Sequence, residues 1–105
     1  MPGTNAKFSV GQIIHHKRFD YRGVIIDVDP EFSGTEEWYD SMARSRPPKD
    51  RPWYHVLVDG SDVQTYVAER NLEPDRLGEP VHHPDIHRYF SDLGEHGYQP
   101  RARRN

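Results

Sequence analysis

Apolar and polar residues alternate with a period of two along several stretches of the chain, and these stretches predict strands. The clearest is YRGVIIDVDP, residues 21–30, where Val24, Ile26 and Val28 fall on one face and Ile25, Asp27 and Asp29 on the other. Gly23 fits a bulge or a close backbone approach, and Pro30 ends the strand because it cannot donate to a ladder. The weakly alternating VGQIIHH, residues 10–16, precedes it across the turn-like KRFD, so the two predict an antiparallel hairpin. A third strand follows at WYHVLV, with Tyr54, Val56 and Val58 on one face and Trp53, His55 and Leu57 on the other. DGSD is its turn, VQTYVAE supplies the fourth strand, and ERNLEPD leaves the sheet as a helical turn that Pro74 stops. Strands this short and this few suit a small curled barrel better than a sandwich.

The period changes at SGTEEWYDSMAR, residues 33–44. Ser33 or Thr35 caps, Glu36 and Glu37 suit the positive end of a helix, and Trp38 and Met42 lie four apart on one face. A short inserted helix is predicted, followed by the proline-broken basic linker SRPPKDRP. Near the end, Pro84 suits a first helical turn, Ile86, Phe90 and Leu93 form a helical stripe, and Gly94 can end it. Residues 1–6 read as a disordered leader, 7–74 as the β domain, and 75–105 as a C-terminal helical segment with a flexible basic tail, YQPRARRN.

Composition narrows the choices. The 105 residues allow one small core, with 33% apolar and 30% charged residues. The absence of cysteine excludes disulfides, zinc–thiolate sites and thiol nucleophiles, and fits a reducing cytosol. No apolar run reaches the roughly 20 residues of a membrane helix, so a soluble cytoplasmic protein is expected. The net charge of −3 argues against a strongly phosphate-binding domain, yet positive charge is bunched around Lys17, Arg18 and Arg22, in the linker, and at Arg101, Arg103 and Arg104.

Seven histidines invite a metal reading. His83 and His87 lie four apart on the predicted C-terminal helix beside His82 and Asp85, but two ligands are too few, and a solvated helix face is preferred. Asp27 and Asp29 lack a third carboxylate, so a solvated outer face or an ion pair with Arg22 or Lys17 accounts for them. His55 has neither a nucleophile nor an orienting acid at a telling spacing, and reads as a hydrogen-bonded strand histidine. No serine carries an elbow motif. No catalytic residue, metal or cofactor is therefore expected. His15, Lys17, Arg18 and Arg22 form the candidate DNA-binding edge, and Arg101, Arg103 and Arg104 a candidate partner contact.

Three blocks, KFSVGQIIHHKRFDYRGVIIDVDPEF, PWYHVLVDG and TYVAERNLE, together resemble the heat shock protein HspQ family, also called YccV-like or hemimethylated-DNA-binding domain proteins. They occur in the family's order and cover about residues 7–74, and HPDIHRYF resembles the tail of many bacterial members. The resemblance implies a small SH3-like antiparallel β-barrel, a bacterial cytosolic setting and no enzymatic activity. It also implies two roles: binding hemimethylated DNA, and assisting the Lon protease in degrading denatured or regulatory proteins such as DnaA. Homo-oligomeric assembly is implied as well. The chain departs from the family pattern at His15, where arginine is frequent, and at Asp20, where a small residue or proline is frequent; both changes lower the positive charge of the first turn.

The leading expectation is a non-enzymatic, HspQ-like partner of Lon and its substrates, and the alternative is a DNA-binding module that reads an added methyl by apolar contact. A third reading is a module that binds another protein through a sheet edge or through the helix at residues 35–44.

Overall fold

The computed structural model describes residues 5–101. Strands β1 (Ile13–His16) and β2 (Arg22–Asp29) form the expected hairpin, with Ile13 opposite Val24 and His15 opposite Arg22. Asp20 takes a positive φ of 58° in the connecting turn, a conformation that aspartate tolerates better than most residues. β3 (Trp53–Val58) pairs antiparallel with β2 and, through a turn carrying Gly60, with β4 (Gln64–Ala68).

A single 3₁₀ turn, Glu69–Asn71, leads from β4 into a three-residue strand, β5 (Leu72–Pro74), which pairs with β1. The sequence pattern predicts a helical turn leaving the sheet here. The segment instead completes the sheet as an edge, where proline is tolerated because it has no donor to offer. The strand order is β4-β3-β2-β1-β5. In a flat sheet β4 and β5 would stand four spacings, about 19 Å, apart. The four Cα steps from Ala68 to Leu72 reach at most about 14 Å, so the sheet must curl. The expected SH3-like barrel is nonetheless not closed by hydrogen bonds, because β4 and β5 remain separate edges.

Curling creates an inner core of Phe8, Ile14, Ile25, Tyr54, Val56, Val67 and Leu72. Tyr54 is fully buried, and its hydroxyl donates to Glu69 at 2.6 Å. The outer face is also covered, at two places. Helix α1 (Glu36–Met42) packs over Trp53 and Ala68 through Tyr39, and Ala43 just beyond the helix joins it. Thr35 caps the helix by accepting from the Trp38 N–H, a contact worth about 1 kcal/mol. The buried face runs through Tyr39 and Ala43, whereas Met42, grouped by its spacing with Trp38, is 64% exposed.

The register of β2 shifts between Ile25 and Asp27. This bulge lies three residues beyond Gly23, which serves the close approach: a side chain there would meet Val56 Cγ1 at 2.5 Å and the Leu57 carbonyl at 2.6 Å. Because two bulge residues oppose one partner residue, the alternation resets. Val24 and Ile26 pack with Leu57 on the outer face, while Val28 joins Ile25 on the inner one.

The expected C-terminal helix is only one turn, α2 (Ile86–Tyr89), and then becomes a hairpin of β6 (Phe90–Gly94) and β7 (Gly97–Pro100). Phe90 is the side chain that decides this. It is fully buried with Tyr98, ring centroids 5.3 Å apart, against Ile13, Val24 and Leu57. The stretch expected to be a flexible tail is thus a packed strand as far as Pro100. Its docking depends on Gly11, whose carbonyl accepts from the Tyr98 N–H at 2.7 Å while its own N–H donates to the Ile25 carbonyl at 2.8 Å. Gly11 has a φ of 92°, and a Cβ there would collide with the Tyr98 carbonyl. Gly11→Ala is expected to cost about 3 kcal/mol and to speed amide hydrogen exchange in residues 90–100 before the rest of the chain. Uniform exchange across the chain in that variant would contradict this separate docking.

Candidate functional site

The first turn was expected to present a row of cations, and the structure divides that row. Arg22 is turned inward, its side chain 14% exposed. Its Nε donates to Asp75 at 2.8 Å, Nη1 to Asp59 at 3.1 Å, and Nη2 to the Glu79 carbonyl at 2.5 Å. It is a structural clamp with its donors engaged. His15 is held between two carboxylates, Nε2 to Asp20 at 2.6 Å and Nδ1 to Glu73 at 2.7 Å. These hydrogen bonds, Asp20 first and Glu73 second, raise its pKa above the ordinary 6.5. His15 and Asp20 thus contact each other across the turn. Lys17 and Arg18 are exposed and belong to no ion pair among the described residues.

His16 behaves in the opposite way to its neighbour. It is 3% exposed, and its Nδ1 accepts from the N–H groups of Arg18 and Phe19 at 3.1 and 3.0 Å. That pairing requires the neutral ring with its proton on Nε2. Burial first, then the charges of His15 and Arg18, lower its pKa. At the other end of the chain, Arg101 donates through Nε to the His87 carbonyl at 2.6 Å and through its backbone to Tyr89, so it is fixed to the hairpin. Arg103 and Arg104 lie outside the described residues.

Between the two outer cores lies a polar gap. Asp29 Oδ2 accepts from the Tyr66 hydroxyl at 2.6 Å and meets His55 Nε2 at 3.1 Å, and burial followed by this carboxylate pushes the Tyr66 phenol far above its usual pKa. Ligand atoms of Asp27, Asp29 and His55 all lie within 4.8 Å of one another, the one such convergence among the described residues. Period-two spacing groups the two aspartates but does not bring His55 to them; the bulge in β2 does, by setting Asp27 opposite it. The C-terminal histidines do not assemble a comparable group: His83 is bonded to the Val63 carbonyl and to the Asp85 N–H.

A larger feature was not found from sequence. A groove of about 810 Å³ runs between α1, the β1–β2 turn and β4. Trp38 and Met42 line it from α1, Phe19 and Tyr21 from the β1–β2 turn, Tyr66 from β4, and Trp53 and His55 from β3. Arg18 and Arg44 are on its rim, and no aspartate or glutamate lines it, although the chain has 17. Six consecutive residues, 63–68, line the groove. A groove on a sheet face meets only alternate residues of a strand, so this one runs along the β4 edge.

A family model described as "Hemimethylated DNA-binding protein YccV like" matches residues 6–97, most of the chain. The chain belongs to the YccV-like family. The match takes in α2, β6 and the first residue of β7, and stops short of YQPRARRN.

Two measurements follow from this geometry of the YccV-like chain. Arg22→Ala leaves Asp75, 5% exposed, without its partner, and is expected to cost about 3 kcal/mol in chemical denaturation, whereas Arg18→Ala stays within about 0.5 kcal/mol of the parent. The second concerns pH. With its folded pKa raised above 6.5, His15 contributes stability that is complete below 6.5 and lost as pH rises through the folded value. With its folded pKa depressed, His16 contributes stability that is complete above 6.5 and lost as pH falls through its folded value. Stability from these two groups should peak near 6.5, and His15→Gln should remove only the decline at higher pH. Urea titrations across that range check this, and a decline that survives in H15Q would contradict it.

Proposed function

We propose that this YccV-like chain is a non-enzymatic cytosolic recognition module that assists the Lon protease in degrading denatured or regulatory proteins, DnaA among them. The observation that carries the proposal is the groove along β4. It is aromatic and apolar, open to solvent, and free of carboxylates. Denatured chains differ from native ones in exposing apolar side chains, and such a groove offers those side chains a surface to cover. The HspQ resemblance supplies the protease, and homo-oligomerisation would multiply grooves on one particle and raise avidity.

A second reading has its own support. The family description names hemimethylated DNA, and Lys17 and Arg18 stand unpaired beside Phe19, which is 71% exposed and could reach a methyl group or a base. With His15 and Arg22 engaged by carboxylates, few cations remain for phosphate. Binding through this edge would have a salt slope of only about −2.

A degradation assay with purified Lon and a denatured substrate tests the first reading. Turnover should rise when the chain is added, and turnover of every substrate unchanged at saturating chain would remove the proposal. Titration of hemimethylated, fully methylated and unmethylated duplexes tests the second, which predicts a preference for the first.

A further inference from the structure

The ladder between β3 and β4 shows which peptide groups of β4 are unused. Val58 N–H donates to the Val63 carbonyl at 3.0 Å, and Glu69 N–H to the Pro52 carbonyl at 3.1 Å. The register runs Leu57–Gln64, Val56–Thr65, His55–Tyr66, Tyr54–Val67 and Trp53–Ala68. Bonded pairs alternate in an antiparallel ladder, so Thr65 and Val67 bond to β3. Gln64, Tyr66 and Ala68 therefore aim their N–H and C=O groups away from it, and β4 is an outer strand of the sheet. Those of Gln64 and Tyr66 open into the groove that residues 63–68 line, whereas Ala68 is buried beneath α1.

We infer that β4 takes up an extended segment of another polypeptide, rich in apolar and acidic residues, as an additional strand of the sheet. This deepens the proposed function and rests on it for the identity of the partner. Alternate side chains of the added strand would meet the lining contributed by α1, Trp38 and Met42, and that contributed by the β1–β2 turn, Phe19 and Tyr21. The edge spans five residues, enough for a segment of about that length. Charge selects the partner: Arg18 and Arg44, without ion pairs among the described residues, are the lining's two cations of fixed charge, no aspartate or glutamate lines the groove, and the nearby Asp29 carboxylate is engaged by Tyr66 and His55. A single nucleic-acid strand suits the groove less well, since it needs a row of cations and makes no use of in-plane peptide groups.

The test uses the full chain, isotopically labelled, and a blocked ten-residue peptide of Leu, Val and Glu. Binding should slow hydrogen exchange at the Gln64 and Tyr66 amides by about tenfold or more. Replacing Glu by Lys in the peptide should weaken binding roughly fivefold. N-methylation of every second peptide nitrogen should abolish binding in one phase and leave it nearly unchanged in the other, because only one edge of the added strand pairs. Gln64→Pro removes one outward N–H at an exposed position of an edge strand, where proline is tolerated, so it should keep the fold, checked by its melting transition, and weaken the peptide at least tenfold.

Equal binding by both methylated phases would overturn the inference. So would protection of the same amides without peptide that grows with protein concentration, which would assign the edge to a second copy. Protection of those amides by an oligothymidylate, with none by the peptide, would assign the groove to nucleic acid. Peptide capture on β4 with no effect on Lon-dependent turnover would keep the groove and remove the proteolytic role. Stimulated turnover that Q64P leaves intact would keep the role and remove the groove.

Discussion

The guanidinium of Arg22 joins parts of the chain that the sheet alone would leave independent. From the start of β2 it reaches Asp75 just after β5, Asp59 in the β3–β4 turn, and the backbone carbonyls of Glu79 and Pro80. Asp59 in turn accepts from the His82 N–H at 2.7 Å, so the segment crossing toward α2 is held at both ends. A charge with so little exposure needs matched partners, and the partners recruited here are the residues that fix where the C-terminal hairpin begins its approach. The same engagement withdraws from the surface the cation that seemed best placed to meet phosphate.

How legible each part was depended on how local its determinants are. The β1–β2 hairpin, β3, β4 and the Thr35-capped helix all follow from patterns within a dozen residues, and they were visible. The bulge at Ile26 was not, because Val24, Ile25 and Ile26 are all apolar and an extra residue leaves no mark in such a run. β5 is three residues long and contains Pro74, which argues against a strand unless its edge position is known. Phe90 lies four residues from Ile86, as a helix would require, yet it is buried by Tyr98 across a turn that only Gly94 and Gly97 announced.

The candidate site divides in the same way. The bunching of Lys17, Arg18 and Arg22 was plain, but the carboxylates that engage Arg22 and His15 come mostly from 37 to 58 residues away. Charge counted along a sequence overstates free charge when folding brings distant opposites together. The groove shows the converse effect. Its lining extends from His16 to Asn71, and its lack of carboxylates is a property of the assembled surface that no segment displays. An acidic chain thereby acquires a local region of the opposite sign, and local potential governs encounter with a partner more than net charge does.

The contact between Gly11 and Tyr98 has a consequence beyond packing. A backbone hydrogen bond of 2.7 Å brings the beginning and the end of the described chain side by side, so the polypeptide path is nearly a circle. Tension applied between those ends would bear first on β7 and leave the five-stranded sheet unloaded until the hairpin had peeled away. A circular permutant joining the ends through a short linker would carry the same contacts with its opening placed elsewhere, and the loop after α1, rich in proline and distant from the Gly11 junction in sequence, is the natural place to cut.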